Sequence, residues 1–210
     1  MEHDFWHNRW EEGRIGFHQA EINEQLQRYW PDLTQEAKSR ETGVLVPLCG
    51  KSSDMLWLRE QGHAVLGVEL NRSACEAFFS ENGAEAQVSE ESVYIRYACE
   101  GIDLLCGDIF ALSAEQLSGI SFVYDRAALV ALPTPMRRQY AELLKALLPA
   151  GAQILLIAME FEGDQGPPFA VREAEIRELF EARFDVERLE LEGEDDLSRR
   201  DVAYRLTDKE

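Results

Sequence analysis

The residues best placed to do chemistry stand at the ends of short apolar runs. Val44-Leu45-Val46 stops at Pro47-Leu48-Cys49-Gly50, and Val65-Leu66-Gly67-Val68 stops at Glu69. Two later runs end in Cys106-Gly107-Asp108-Ile109-Phe110 and in Tyr124-Asp125-Arg126. Strand, glycine turn, helix, second strand and then a carboxylate is the order that holds an adenosine-type ligand across the carboxyl ends of parallel strands. The acid in such a site takes the ribose hydroxyls, and Glu69 is the candidate.

The turn at Gly50 carries neither G-x-G-x-x-G nor the G-x-x-x-x-G-K-S/T phosphate loop; Gly50-Lys51-Ser52 imitates only the ending of the second. Ser52 and Ser53 read as helix caps. Asp54, in the first helical turn, complements the helix dipole and would repel a pyrophosphate. The expected ligand therefore has an adenosine and no phosphates, a description met by S-adenosylmethionine with its sulfonium and amino-acid tail. Asp108 can accept from an adenine amino group while Ile109 packs on the ring, although Gly-Asp is also an ordinary turn. Arg126 cannot lose its proton, so it can orient or stabilise an anion but cannot act as a base; the alternative is a local salt bridge to Asp125.

These residues need a frame that aligns strand ends. Strands are expected at 44–47, 64–68, 93–98 with 103–106, 121–125 and 153–159, and helices at 53–61, 72–81 and 135–147, the last with Thr134 as N-cap and Pro135 at its first position. Near-continuous apolar stretches such as Ile154-Leu155-Leu156-Ile157 imply burial on both faces and so a parallel sheet. After a helix at 172–182, the alternating segments Phe184–Leu191 and Val202–Leu206, joined by a polar link from Gly193 to Arg199, read as an antiparallel hairpin at the sheet edge. The expectation is a doubly wound α/β fold with a mostly parallel seven-stranded sheet and a C-terminal antiparallel hairpin, the methyltransferase variant rather than the dehydrogenase one. Residues 1–40 read as a helical cover rich in aromatics, broken at Glu12-Gly13, with a second helix from Glu21 to Trp30 closed by Pro31. Trp10 and Phe17 suit either a core-facing staple or a lid over the ligand, and Gly13, Gly16, Arg14, His18 and Gln19 favour the lid. The whole of 1–210 is expected to form one domain, with 1–40 as cover and 41–210 as core.

Composition narrows the function classes. The 210 residues are 45% hydrophobic and 29% charged, with 40 acidic against 21 basic side chains and a net charge of −19. Such a balance repels phosphate backbones, so a nucleic-acid partner is not expected. Cys49, Cys75, Cys99 and Cys106 form no C-x-x-C pair and read as free thiols of a reducing compartment. His3 and His7 have helical spacing without a third ligand nearby, so they read as surface residues and no metal is expected. No apolar stretch reaches the roughly 18 residues a membrane span needs, and Met1–Trp10 lacks the apolar core of a signal peptide. A cytoplasmic monomer acting on a small molecule is the expectation.

Four blocks together carry a resemblance. W-x-x-G-x-x-G-F-H (Trp10 to His18), V-P-L-C-G-K-S-x-D-M (Val46 to Met55), G-V-E (Gly67 to Glu69) and D-R-A-A-L-V-A-L-P (Asp125 to Pro133) resemble the bacterial thiopurine S-methyltransferases. The likeness runs from Phe5 to the end, in pattern more than motif over the last forty residues; the loop around Thr34–Thr42 looks like a small insertion. The resemblance implies a class I enzyme that uses S-adenosylmethionine, releases S-adenosylhomocysteine and methylates the sulfur of thiopurines and other aromatic or heterocyclic thiols. Its cofactor contacts fall on Trp10, Leu48, Glu69, Asp108, Ile109 and Arg126, and its substrate-side positions on Phe17 and Arg126. Arg126 is then the expected orienter of the acceptor and Phe17 an apolar wall, with His18 or Asp125 at most relaying a proton through water. Three other readings stay open: selenium or tellurium oxyanions as acceptors, a nicotinamide oxidoreductase (disfavoured by the missing glycine fingerprint), and a non-catalytic cofactor-binding protein on the same scaffold.

Overall fold

The computed structural model describes residues 3–35, 42–163, 165–189 and 199–209. The loop around Thr34–Thr42 and the link from Gly193 to Arg199 lie largely outside them, as do the last two residues of the expected strand Phe184–Leu191. In the order of the chain the elements are α1 (His3–Glu11), α2 (Glu24–Leu33), β1 (Gly43–Pro47), α3 (Asp54–Glu60), β2 (Ala64–Glu69), α4 (Arg72–Glu81), β3 (Gln87–Glu91), β4 (Tyr94–Cys99) and β5 (Ile102–Cys106). They continue with β6 (Ile120–Arg126), α5 (Thr134–Leu147), β7 (Gln153–Phe161), α6 (Glu173–Phe180), β8 (Phe184–Leu189) and β9 (Arg199–Asp208).

The strands form one sheet in the order β3-β4-β5-β2-β1-β6-β7-β9-β8. The centre, β5-β2-β1-β6-β7, is parallel, and both edges are antiparallel. The sheet thus has nine strands and not the seven expected. The segment 93–106 is a hairpin of two strands, and β3 adds an edge whose residues are nearly all exposed. With no buried face, β3 has no apolar alternation for the sequence to display.

Side chains alternate between the two faces, and each face has its own helices. Val44, Val46, Phe122 and Leu155 pack with Leu26 and Trp30 of α2, Met55 and Leu58 of α3 and Phe78 of α4. Leu45, Val123, Ile154 and Leu156 pack with Tyr140 and Leu144 of α5 and Ile176 and Phe180 of α6. The second helix of the cover is therefore a member of a sheet layer. It runs past Pro31, which lies inside it, because burying Leu33 carries the chain a further turn, and the Thr34 N–H closes on the Trp30 carbonyl at 3.1 Å. Two capping expectations also shift. Ser53 makes no side-chain cap bond, while Ser52 Oγ accepts from the Asp54 N–H at 3.3 Å. Pro133 is the N-cap of α5, and Thr134 instead accepts from the Arg137 guanidinium.

Trp30 anchors this arrangement: it is 1% exposed, donates its indole N–H to His63 Nε2 at 3.0 Å and stands edge-on to Tyr124. Trp30→Ala is expected to cost about 3–5 kcal/mol of folding free energy through the cavity it leaves, read as a lowered urea midpoint.

Candidate active site

The strand order reverses direction at β1, whose neighbours are β2 and β6. Above their carboxyl ends, where such a reversal opens a crevice, lies a cavity of about 450 Å³. Trp10, Phe17, Leu48, Glu69, Asp108, Ile109 and Arg126 all line it. Residues spread over more than half the chain are thus brought to one place by the ends of β1, β2, β5 and β6 and by the segment beginning at α1.

At one end Glu69 terminates β2 and is only 7% exposed. Its Oε2 accepts from the Gly50 N–H at 2.9 Å and its Oε1 from the Asn71 N–H at 2.7 Å. Burial raises its pKa, and the backbone N–H bonds pull the other way. A carboxylate has about four acceptor directions, so one bond per oxygen leaves capacity toward the cavity, enough for a pair of hydroxyls. The Gly50 N–H is already committed to Glu69, so the glycine turn is no phosphate cradle. Asp54 stands in the first turn of α3 as expected, and it is buried and bonded inward. Beside this end, Asp108 Oδ1 caps the turn at Ile109 by accepting from the Phe110 N–H at 3.0 Å, and its Oδ2 lies 3.3 Å from His3 Nε2.

At the other end stands Arg126. Among the described residues no hydrogen bond or ion pair engages its guanidinium, and the expected alternative of a salt bridge to Asp125 is not formed. Alternation along β6 sends Tyr124 and Arg126 to one side and Asp125 to the other. Asp125 is 1% exposed and accepts from the Leu129 N–H at 3.1 Å and the Tyr140 hydroxyl at 2.7 Å. It does not line the cavity, which removes it as a proton relay. His18 does line it, with a pKa lowered first by burial and then by the positive charge of Lys51, Arg126 acting the same way. Leu48 and Ala127 border the cavity in the left-handed region, at φ 48° and 69°. Strain of roughly 1–3 kcal/mol per such residue is held by the surrounding structure.

A further part of the lining comes from the amino-terminal segment. Phe17 meets Trp10 edge-on at 5.6 Å and Trp6 at 5.8 Å. A Cβ on Gly50 would lie 3.2 Å from the Trp10 ring, so that glycine lets the indole settle on the turn. His3, expected at the surface, is exposed there and lies beside Asp108, while the half-buried His7 places its Nδ1 3.1 Å from the Asn71 amide nitrogen. No residue of α1 is buried in the core, and Trp6, Trp10 and Phe17 line the cavity.

The thiopurine S-methyltransferase family model matches residues 1–207. The chain belongs to this family. A thiopurine S-methyltransferase of Pseudomonas fluorescens is 52% identical over 180 residues, covering 85% of this chain and 80% of the relative. One from Nitrosomonas eutropha is 46% identical, covering 90% and 86%. Among solved structures, the Burkholderia thailandensis 1,6-didemethyltoxoflavin N1-methyltransferase, with 1,6-didemethyltoxoflavin and S-adenosylhomocysteine bound, aligns with TM-score 0.68 over 99% of this chain and 87% of that one, at 16% identity. A methyltransferase from Anabaena variabilis, described as S-adenosylmethionine-dependent, aligns with TM-score 0.64 over 98% and 94%, at 14% identity. These two likenesses are of fold.

Several cavity residues of this family member were not singled out from the sequence: Tyr124, Met136, Met159, Pro167, Pro168 and Asp201. Tyr124 was within reach, since it precedes Arg126 by one strand period. Pro167 and Pro168 carried no local signal. They are brought in because the Phe169 N–H donates to the Val130 carbonyl at 2.7 Å, and the buried Arg137 stacks on Phe169 while donating to the Leu132 carbonyl at 2.8 Å.

The Asp125 carboxyl supplies a pH test. Burial pushes its pKa up to about 6 from 3.8, against the hydrogen bonds it accepts. A raised folded-state value means this group favours the fold most when protonated and loses that contribution as pH rises through about 6. Asp125→Asn keeps an acceptor for Leu129 and a donor for Tyr140. Urea denaturation between about pH 4 and 6 should show a stability-versus-pH slope for the variant that differs from wild type by up to one proton's worth; parallel curves would contradict the assignment.

Proposed function

We propose that this protein transfers a methyl group from S-adenosylmethionine to the sulfur of thiopurines and other aromatic or heterocyclic thiols, acting in the cytoplasm. One observation carries the reading: a single cavity joins a buried ribose-type acid, Glu69, to an arginine with no protein partner among the described residues, Arg126. Family membership and the fold support the same reaction class.

Glu69 would hold the ribose hydroxyls, with Asp108 and Ile109 at the adenine and Leu48 and Trp10 on the faces of the ligand. Bound there, S-adenosylmethionine supplies a transferable methyl group on a cationic sulfur and leaves as S-adenosylhomocysteine. Aromatic thiols ionise readily, and the thiolate is the nucleophile, so the chain needs no strong base. Arg126 stabilises and orients that anion from the end of β6. Phe17, Met136, Met159 and the Pro167-Pro168 stretch enclose a flat heterocycle and exclude water. Holding acceptor and methyl in line supplies roughly 7–11 kcal/mol of barrier reduction, the main contribution asked of the protein. A neutral His18, its pKa lowered by burial and Lys51, avoids crowding Arg126 with a second full charge.

The test is an acceptor panel of thiopurines, thiophenols, selenite and tellurite with S-adenosylmethionine, following S-adenosylhomocysteine release. Turnover is expected with the thiols; activity confined to the oxyanions would replace the acceptor, and none at all would leave a binding protein. Arg126→Ala should lower kcat/KM for the thiol by about 10²–10³, as for loss of one transition-state contact, with S-adenosylhomocysteine affinity changed little by calorimetry. Glu69→Ala should abolish measurable cofactor affinity, since two backbone N–H groups lose their acceptor along with the ribose.

A further inference from the structure

The chemistry just described leaves one buried carboxylate of the cavity without a task. Asp54, in the first turn of α3, is 2% exposed, and its two oxygens reach different elements. Oδ1 accepts from the Asn23 N–H at 2.9 Å, and Oδ2 from the Tyr124 hydroxyl at 2.9 Å. Asn23 is itself the N-cap of α2, its side chain accepting from the Gln25 and Leu26 N–H groups at 3.0 and 3.1 Å. Gln25 Nε2 donates onward to the Asp201 carbonyl of β9 at 2.9 Å. The point where the chain leaves Phe17–Gln19 for the buried α2 is thus fixed from three directions, with Asp54 as the hub. Its other arm is Tyr124, which lines the cavity one strand period before Arg126.

We infer that Asp54 is the positioning residue of the acceptor half of the cavity. It ties the segment carrying Phe17 to the strand carrying Arg126, so the apolar wall and the cation keep one spacing. The inference rests on the reading that the acceptor lies between Phe17 and Arg126. Both bonds run to a carboxylate, so they are stronger than neutral ones, and each crosses a long stretch of chain, 31 and 70 residues. No other side chain of the described residues bonds to both of these groups. Cutting the hub frees the segment without touching Glu69, Asp108 or Ile109, so the loss should fall on the acceptor and spare the cofactor.

Asp54→Ala, Asp54→Asn and Tyr124→Phe provide the test. Asn can offer its oxygen to Asn23 and its amide N–H to the Tyr124 hydroxyl, which then accepts, so it keeps the geometry and drops the charge. Asp54→Ala is expected to raise the thiol acceptor's KM about tenfold, the scale of two lost buried hydrogen bonds, with S-adenosylhomocysteine affinity by calorimetry within about threefold of wild type. Asp54→Asn should recover most of the loss, and Tyr124→Phe should fall between. Amide hydrogen exchange should quicken at Phe17–Asn23 in Asp54→Ala and Tyr124→Phe and stay unchanged in α4. Equal weakening of cofactor and acceptor, or an Asn variant no better than Ala, would overturn the inference. Should Asp54→Ala fail to fold, Tyr124→Phe carries the same test through its KM and exchange pattern. Wild-type protein that turns over no thiol would sink the acceptor assignment; a responsive wild type with a silent Asp54→Ala would sink the positioning role alone.

Discussion

Two backbone N–H groups aimed at one buried carboxylate organise this molecule. Glu69 ends β2, yet it is bonded to Gly50 after β1 and to Asn71 before α4. One side chain thereby locks together the two turns that form the floor of the cavity. The cost of burying the acid appears in its raised pKa, and the N–H bonds offset part of it. The same bond removes Gly50 from phosphate binding, so the interaction that assembles the floor also selects against nucleotides with pyrophosphates.

Charge is distributed unevenly around the cavity. The chain carries −19 overall, and the Glu69 end of the cavity is lined by acids, while Arg126 at the opposite end has no carboxylate partner among the described residues. Asp125, the acid next to it in sequence, is turned away by strand alternation and occupied by Tyr140 and Leu129. An arginine neutralised by its neighbour would have little left for an anionic ligand. The strand's own geometry keeps the cation available, and Ala127 at φ 69° turns the chain immediately afterward.

The parts of this fold legible in the sequence were those with a one-dimensional signature. Buried parallel strands read as continuous apolar runs, so β1, β2, β6 and β7 and the residues at their ends were visible, Glu69 and Arg126 among them. β3 was not, because an exposed edge strand such as Gln-Val-Ser-Glu-Glu has no apolar period. Pro31 looked like a helix end because proline usually is one, and tertiary burial of Leu33 overrode it. The surroundings of Asp54 and Asp125 are hidden from the sequence for a common reason. Sequence shows that an acid sits near a helix start or a strand end, but whether it faces water, cavity or core depends on partners 15 to 70 residues away. The same limit hid Pro167 and Pro168, whose place is set by Arg137 and Phe169.

The nine residues of α1 include none that is buried, although Trp6 and Trp10 line the cavity. Its hold consists of ring edges and the contacts of His3 and His7, all made to the site and none to the core. Opening it therefore requires only a small fraction of the free energy of unfolding the domain. An opening of that kind leaves the sheet and both of its helical layers intact.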